Sequence, residues 1–195
     1  MLKSWYVPVL ALIVATAVGL GAGFWWHHHG VQSANPYEHL GGDFTLASAG
    51  GPVSLKDYRG RAVMLFFGYT TCPDVCPMDL SKISAVISQL PEKEAQRVAG
   101  LFVSVDTERD TPQRTAEYAA FFHPQITGAS GSAQAVDAVA KQYYVLYQKV
   151  EDAGSALGYT VDHSATTYLI GPKGKVRDLL KHDATVAEMA EAVRT

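Results

Sequence analysis

Cysteine is scarce in this chain: two residues of 195, Cys72 and Cys76. A pair this close excludes a disulfide-stapled scaffold. Bridging so small a ring would constrain the unfolded chain by only about 2 kcal/mol. The thiols are better explained by chemistry than by cross-linking. Lys and Arg are missing between Lys3 and Lys56, and the net charge is −3. That balance excludes a nucleic-acid surface, which needs a basic patch. There is no internal repeat and no second apolar core, so one ordinary domain is expected.

What is present at the N-terminus is an uncharged run from Trp5 to Trp26, 22 residues with aromatic residues at both ends. At about 1.5 Å per residue it reaches across a hydrocarbon core roughly 30 Å thick. Ala15-Thr-Ala17 resembles a signal-peptidase cut, but the apolar run continues past it, which favours an uncleaved anchor. The stretch is not the Arg-rich, amphipathic segment of a mitochondrial transit peptide. With Lys3 as the only flanking cation, the positive-inside rule puts residues 1–4 in the cytoplasm. Residues 5–26 are then a transmembrane anchor, 27–40 a polar tether, and 41–195 the folded domain. The expected setting is a bacterial inner membrane, crossed once, with the domain on the periplasmic side. His27–His29 reads as a solvated flank of the anchor.

The domain reads as a mixed α/β sandwich. Phe44–Leu46 and Val53–Leu55 are expected short strands around Gly50-Gly51-Pro52. Ala62–Phe67 has the length and aromatic content of a buried strand. A helix is expected from Pro77 to about Leu90, with Leu80, Ile83, Ile87 and Leu90 inward. Leu101–Val105 is a second buried strand ending at Asp106. Asp110 and Thr111 are read as caps of a helix that begins with Pro112 and runs to about Phe122. A helix from Ser132 through Tyr144, a strand at 145–150, a hairpin of 166–170 with 175–180, and a closing helix from Asp183 or Thr185 complete the chain.

Both thiols fall on the strand-to-helix turn, where the helix N-terminus favours thiolate over thiol. Residues four apart share a helical face, so Cys72 and Cys76 can close a disulfide or chelate one ion. His163, just ahead of the expected strand at 166, is either a hydrogen-bonded structural residue or a third donor. Two thiolates and an imidazole form a soft, low-coordinate set suited to copper, Cu(I) above all. Structural zinc takes four ligands, and no fourth is evident. Asp106, at the end of a strand that would be parallel to 62–67, points at the same rim and is a candidate for tuning the site or meeting a partner. Asp74 and Tyr69 flank the thiols as further candidates. Asp162 is expected to point away from His163.

Three motifs carry a resemblance. Phe66-Phe-Gly-Tyr-Thr-Thr-Cys-Pro-Asp-Val-Cys-Pro77, Ser104-Val-Asp-Thr-Glu-Arg-Asp-Thr-Pro112 and Val161-Asp-His-Ser164 are similar, in order, to the signatures of the Sco/SenC family. Gly41–Leu46 resembles the family's opening strand, and Thr107 stands where many members have proline. The resemblance covers about residues 40–195. It implies a thioredoxin-like sandwich with extra N-terminal strands, preceded by one transmembrane helix. It further implies copper, as Cu(I) or Cu(II), held by Cys72, Cys76 and His163. The implied role is assembly of the dinuclear copper site of cytochrome c oxidase subunit II, rather than catalytic turnover. A second copper chaperone or a thiol–disulfide oxidoreductase would be further partners. Oxidation of Cys72 and Cys76 to a disulfide removes both sulfur donors, so redox gating is expected. The alternative is a thiol–disulfide oxidoreductase in the same compartment. A peroxidase is excluded: peroxiredoxins carry Pro and Thr seven and three residues ahead of the reactive Cys, where this chain has Leu65 and Tyr69.

Overall fold

A computed structural model of the chain describes residues 6–29, 35–151, 154 and 158–194. The chain divides into two units, Met1–Asn35 and Pro36–Thr195. In the first, α1 (Tyr6–His29) is a 24-residue helix whose described side chains, Val9 to Gly23, are all exposed. They are apolar on every face save Thr16, whose hydroxyl bonds back to the carbonyls of Leu12 and Ile13. Among the described residues, no helix is long and apolar enough to cross a membrane. The stretch with described side chains is shorter than the roughly 20 residues a crossing takes. The expected span 5–26 runs past that stretch at both ends, with Trp5 outside the described residues. The tether likewise includes residues 30–34, also outside them.

The second unit opens with the hairpin β1 (Thr45–Ser48) and β2 (Gly51–Ser54), followed by a 3-10 turn, Leu55–Tyr58. Leu55, expected in the second strand, instead starts that turn, which Ser54 and Asp57 close with reciprocal backbone bonds. Then come β3 (Ala62–Gly68), α2 (Val75–Gln89), the single turn α3 (Glu92–Ala95), β4 (Val98–Ser104) and α4 (Pro112–Phe122). The remainder is β5 (Ile126–Ala129), α5 (Ala133–Gln142), β6 (Tyr147–Glu151), β7 (Tyr159–His163), β8 (Thr166–Ile170), β9 (Val176–Lys181) and α6 (Val186–Arg194).

Five strands form one sheet in the order β5-β4-β3-β8-β9. The β3–β4 and β4–β5 pairs are parallel; β3–β8 and β8–β9 are antiparallel. All seven residues of β3 are buried, as a central strand covered on both faces requires. Alternation along β3 sends neighbouring rings to opposite faces. Phe66 stacks on Phe102, which meets Tyr118 of α4, while Phe67 meets Tyr143, at the end of α5, and Tyr168. Helices therefore cover both faces, and the α/β sandwich expectation holds. Burying each of these rings contributes roughly 2 kcal/mol.

Several boundaries differ from the sequence reading. Helix α2 begins at Val75, two residues before Pro77, because proline is tolerated anywhere in a first turn whose N–H groups have no helical partner. Strand β4 starts at Val98, and α5 stops at Gln142, followed by Tyr144 in a left-handed conformation (φ 53°). Strands β5 and β7 have no strong apolar run and escape a reading by pattern. Strand β5 instead depends on close approach to α4. A Cβ on Gly128 would sit 2.1 Å from the Thr115 carbonyl oxygen.

Overpacking of this kind costs about 1–3 kcal/mol. Gly128→Ala is expected to lower the denaturant midpoint accordingly, with an unchanged slope. An unaltered midpoint would show that the helix and strand can separate freely.

Candidate metal centre

Strand β3 delivers the chain to the rim at Gly68, where a side chain has no room. A Cβ there would lie 2.6 Å from Cys76 Sγ. The loop that follows is fastened by Asp110, whose side chain is fully buried. Its carboxylate accepts from Thr70 N (2.7 Å), Thr70 Oγ1 (2.6 Å) and Ser104 Oγ (2.6 Å). Arg114 Nε lies 3.6 Å from the same carboxylate and donates to Thr70 Oγ1. Asp110 is therefore a loop fastener. Of the two expected caps only Thr111 serves as one, its hydroxyl accepting from Arg114 N.

Cys72 is half-buried and Cys76 wholly buried, both as free thiols. Cys76 N–H donates to Cys72 Sγ at 3.4 Å, so the first sulfur accepts one of the spare donors at the start of α2. His163, at the end of β7, places Nε2 at 3.2 Å from Cys76 Sγ. Its ring stands edge-on against Tyr69 and Phe66, with centroids 5.8 and 5.9 Å away. Nδ1 is 3.2 Å from the Ser164 carbonyl. A proton on Nδ1 would leave the Nε2 lone pair free for a metal, and a proton on Nε2 would be donated to the sulfurs.

The two thiols differ sharply in acidity. Donation from Cys76 holds the Cys72 thiol far below the usual thiol range; burial opposes this, and His163 and the Cys76 and Asp74 N–H groups add to it. Cys76 is pushed the other way, first by its bond to the Cys72 sulfur and then by burial. Both shifts favour the thiolate at Cys72 and the thiol at Cys76. Burial raises the Tyr69 phenol, keeping it neutral beside the sulfurs.

One donor atom from each of Cys72, Cys76 and His163 lies within 4.8 Å of the others. Among the described residues no other group of three or more His, Cys, Asp or Glu side chains converges in this way. Two sulfurs and an imidazole nitrogen are positioned for copper binding, with the softness and low coordination number that Cu(I) prefers. An arriving ion displaces the remaining proton from Cys76.

The secondary candidates fare unequally. Tyr69 is buried against His163. Asp74 is exposed at the N-cap of α2 with no side-chain capping bond. Asp106 is buried, its carboxylate accepting from Arg109 Nε (2.5 Å) and Tyr159 Oη (2.8 Å). Asp162 is exposed and points outward, as expected. The sequence reading missed Thr70, Arg109 and Tyr159. Arg109 and Asp110 both lie in the Ser104–Pro112 motif, whose density of polar residues in an apolar chain was the available signal.

A family model described as SCO1/SenC matches residues 32–195. Protein SCO1 homolog 1, mitochondrial, of Arabidopsis thaliana is 42% identical over 135 residues, covering 69% of this chain and 40% of that protein. The solved structure of Arabidopsis ScoI with copper bound has a TM-score of 0.73 at 37% identity, over 79% of this chain and 95% of that one. Bradyrhizobium japonicum ScoI with copper bound gives 0.71 at 37% identity, over 80% and 98%. The matched stretch spans 40% and 52% of two of the curated relatives and 76% of a Rickettsia conorii one.

The split acidity sets a reactivity order. Cys72 is expected to react with iodoacetamide well below the ordinary thiol value of about 8.5, slowing only as pH falls through its depressed value. Cys76 stays unmodified until Cys72 is blocked. In Cys76→Ala the Cys72 profile shifts to higher pH. Equal labelling of both thiols, read by peptide mass, would remove the basis for this asymmetry.

Proposed function

The chain belongs to the SCO1/SenC family, and we propose that it is a membrane-anchored copper carrier serving assembly of the dinuclear copper site of cytochrome c oxidase subunit II. The observation that carries this reading is the convergence of Cys72, Cys76 and His163 within 4.8 Å at an open rim. Cys72 and Cys76 supply thiolates and His163 supplies neutral Nε2. Copper is cargo here, so the site must also release it. Three ligands leave a position for an incoming donor, and half-exposed Cys72 and His163 leave a route to it.

Gating by oxidation belongs to the same reading. The Cys72 thiolate attacks a partner disulfide, releasing one partner thiolate; Cys76 then attacks the mixed disulfide, releasing the second. The partner gains two electrons, this chain gains a Cys72–Cys76 disulfide, and both sulfur donors are lost. Half-exposed, acidic Cys72 over buried Cys76, whose thiol is pushed up, is the arrangement of a nucleophile and its resolving thiol. That same feature favours the second reading, a thiol–disulfide reductase acting on partner cysteines.

The anchor rests on α1, whose described side chains are exposed and, save Thr16, apolar, which suits lipid better than water. Residues 1–4 would lie inside, 5–26 in the bilayer, 27–40 in the tether, and 41–195 in the periplasm of a bacterial cell.

Titration of the reduced full chain in detergent is expected to give a one-to-one copper complex with thiolate-to-copper charge transfer. His163→Ala should weaken it by more than roughly 100-fold, since losing a group one bond further out already costs about 10–100-fold. Parent-like binding by that variant would remove the third ligand and leave the reductase reading. Equal affinity in the disulfide form would end the gating idea.

On cell fractionation the chain is expected to sediment with membranes and resist high-salt and carbonate washes. Protease added outside the inner membrane should release a fragment close to residues 41–195. Recovery of intact chain in the soluble fraction would remove the anchor.

A further inference from the structure

Among the described residues, strands β6 and β7 pair only with each other, in a two-stranded sheet separate from the five-stranded one. Such a hairpin is at best marginally stable alone. Yet its last residue is His163. Something outside the hairpin must therefore fix where the imidazole sits relative to sulfurs that belong to the β3–α2 rim.

Alternation along β7 puts Tyr159, Val161 and His163 on one face. Val161 is buried, while Asp162 between them faces out. Tyr159 and His163 thus sit at the two ends of the inner face, about 13 Å apart at 3.3 Å per residue. At the Tyr159 end the hairpin is gripped by the β4–α4 connection. The Arg109 guanidinium lies 3.7 Å from the Tyr159 ring centroid, and Nη1 donates to the Tyr159 carbonyl at 3.0 Å. Arg109 Nε and Tyr159 Oη both reach the buried Asp106 carboxylate. Lys149 of β6 adds a second cation 4.0 Å from the same ring and pairs with Glu108 at 3.0 Å. Arg109 also lies 5.9 Å from Tyr69, the ring that abuts His163. The His163 end meets the rim through the Tyr69 and Phe66 rings and a Tyr69 bond to the Val161 backbone, and is joined to the chain ahead of β6 by Ser164 N to Leu146 O and Leu146 N to Ser164 Oγ.

We propose that Arg109 is a positioning residue for the third copper ligand. Its stack and hydrogen bond on Tyr159, braced by Asp106, fix the β6–β7 hairpin so that His163 meets the two sulfurs. The inference rests on the reading of His163 as a ligand. The guanidinium suits the task because it is planar, permanently charged, and able to stack and donate at once. Lysine keeps the charge but loses the stack and the fork.

The test is a double-mutant cycle on the full chain in detergent, with copper titration as readout. Arg109→Leu is expected to weaken copper about 30-fold where His163 is present, the size of a desolvated cation–ring contact, and to change nothing in a His163→Ala background. Arg109→Lys should fall between. Tyr159→Phe, which keeps the ring and loses only the hydroxyl, gives a milder loss and guards against misfolding. Nitrogen hyperfine structure on the bound Cu(II) signal should weaken in Arg109→Leu and persist in Tyr159→Phe. Equal weakening by Arg109→Leu in both backgrounds would mean general destabilisation and overturn the proposal. So would an unaffected Arg109→Leu beside a weakened His163→Ala, leaving the ligand reading intact. An unaffected His163→Ala overturns the ligand reading itself and this inference with it.

Discussion

One buried carboxylate holds the rim together. Asp110 ties the loop after β3 through Thr70, the end of β4 through Ser104, and α4 through Arg114. Its own carbonyl also accepts from Ser130, just past β5. A buried charge is tolerated only when its hydrogen-bonding capacity is filled, and removing one partner exposes the full cost of the rest. The loop that carries Cys72 is thus held in place by a set of bonds that stand or fall together. Close packing completes the placement. Gly68 gives up a side chain so that the Cys76 sulfur can lie against the strand end.

The two sulfurs and the imidazole reach the site by different routes. Cys72 sits half-buried in the loop after the central strand, and Cys76 is buried in the first turn of the helix that follows. His163 arrives some ninety positions later on a hairpin that takes its place from side chains rather than from the main sheet. The three donor atoms therefore come together only in the folded chain.

The parts legible in the sequence were those with a local signature. The run 62–67, the Thr111-Pro112 helix start and the 166–180 hairpin all announce themselves through composition and spacing. The two thiols and His163 were legible because soft donors are rare in this chain. What escaped depends on partners distant in sequence. Asp110 beside Thr111-Pro112 looks like a cap, and only the folded chain shows Thr70 and Ser104 waiting for its carboxylate. Strand β5 carries glycine because α4 presses on it, which no local pattern reveals. Tyr159 has meaning only once Arg109, fifty residues earlier, lies on its ring.

The complete burial of Cys76 gives the centre a floor. An ion resting there would meet solvent only on the side of Cys72 and His163, so an incoming donor has a single direction of approach. Exchange would then follow an order, with the exposed ligands yielding first and the floor sulfur last. On the proposed reading, an acceptor would begin to hold the ion before the last sulfur had let go.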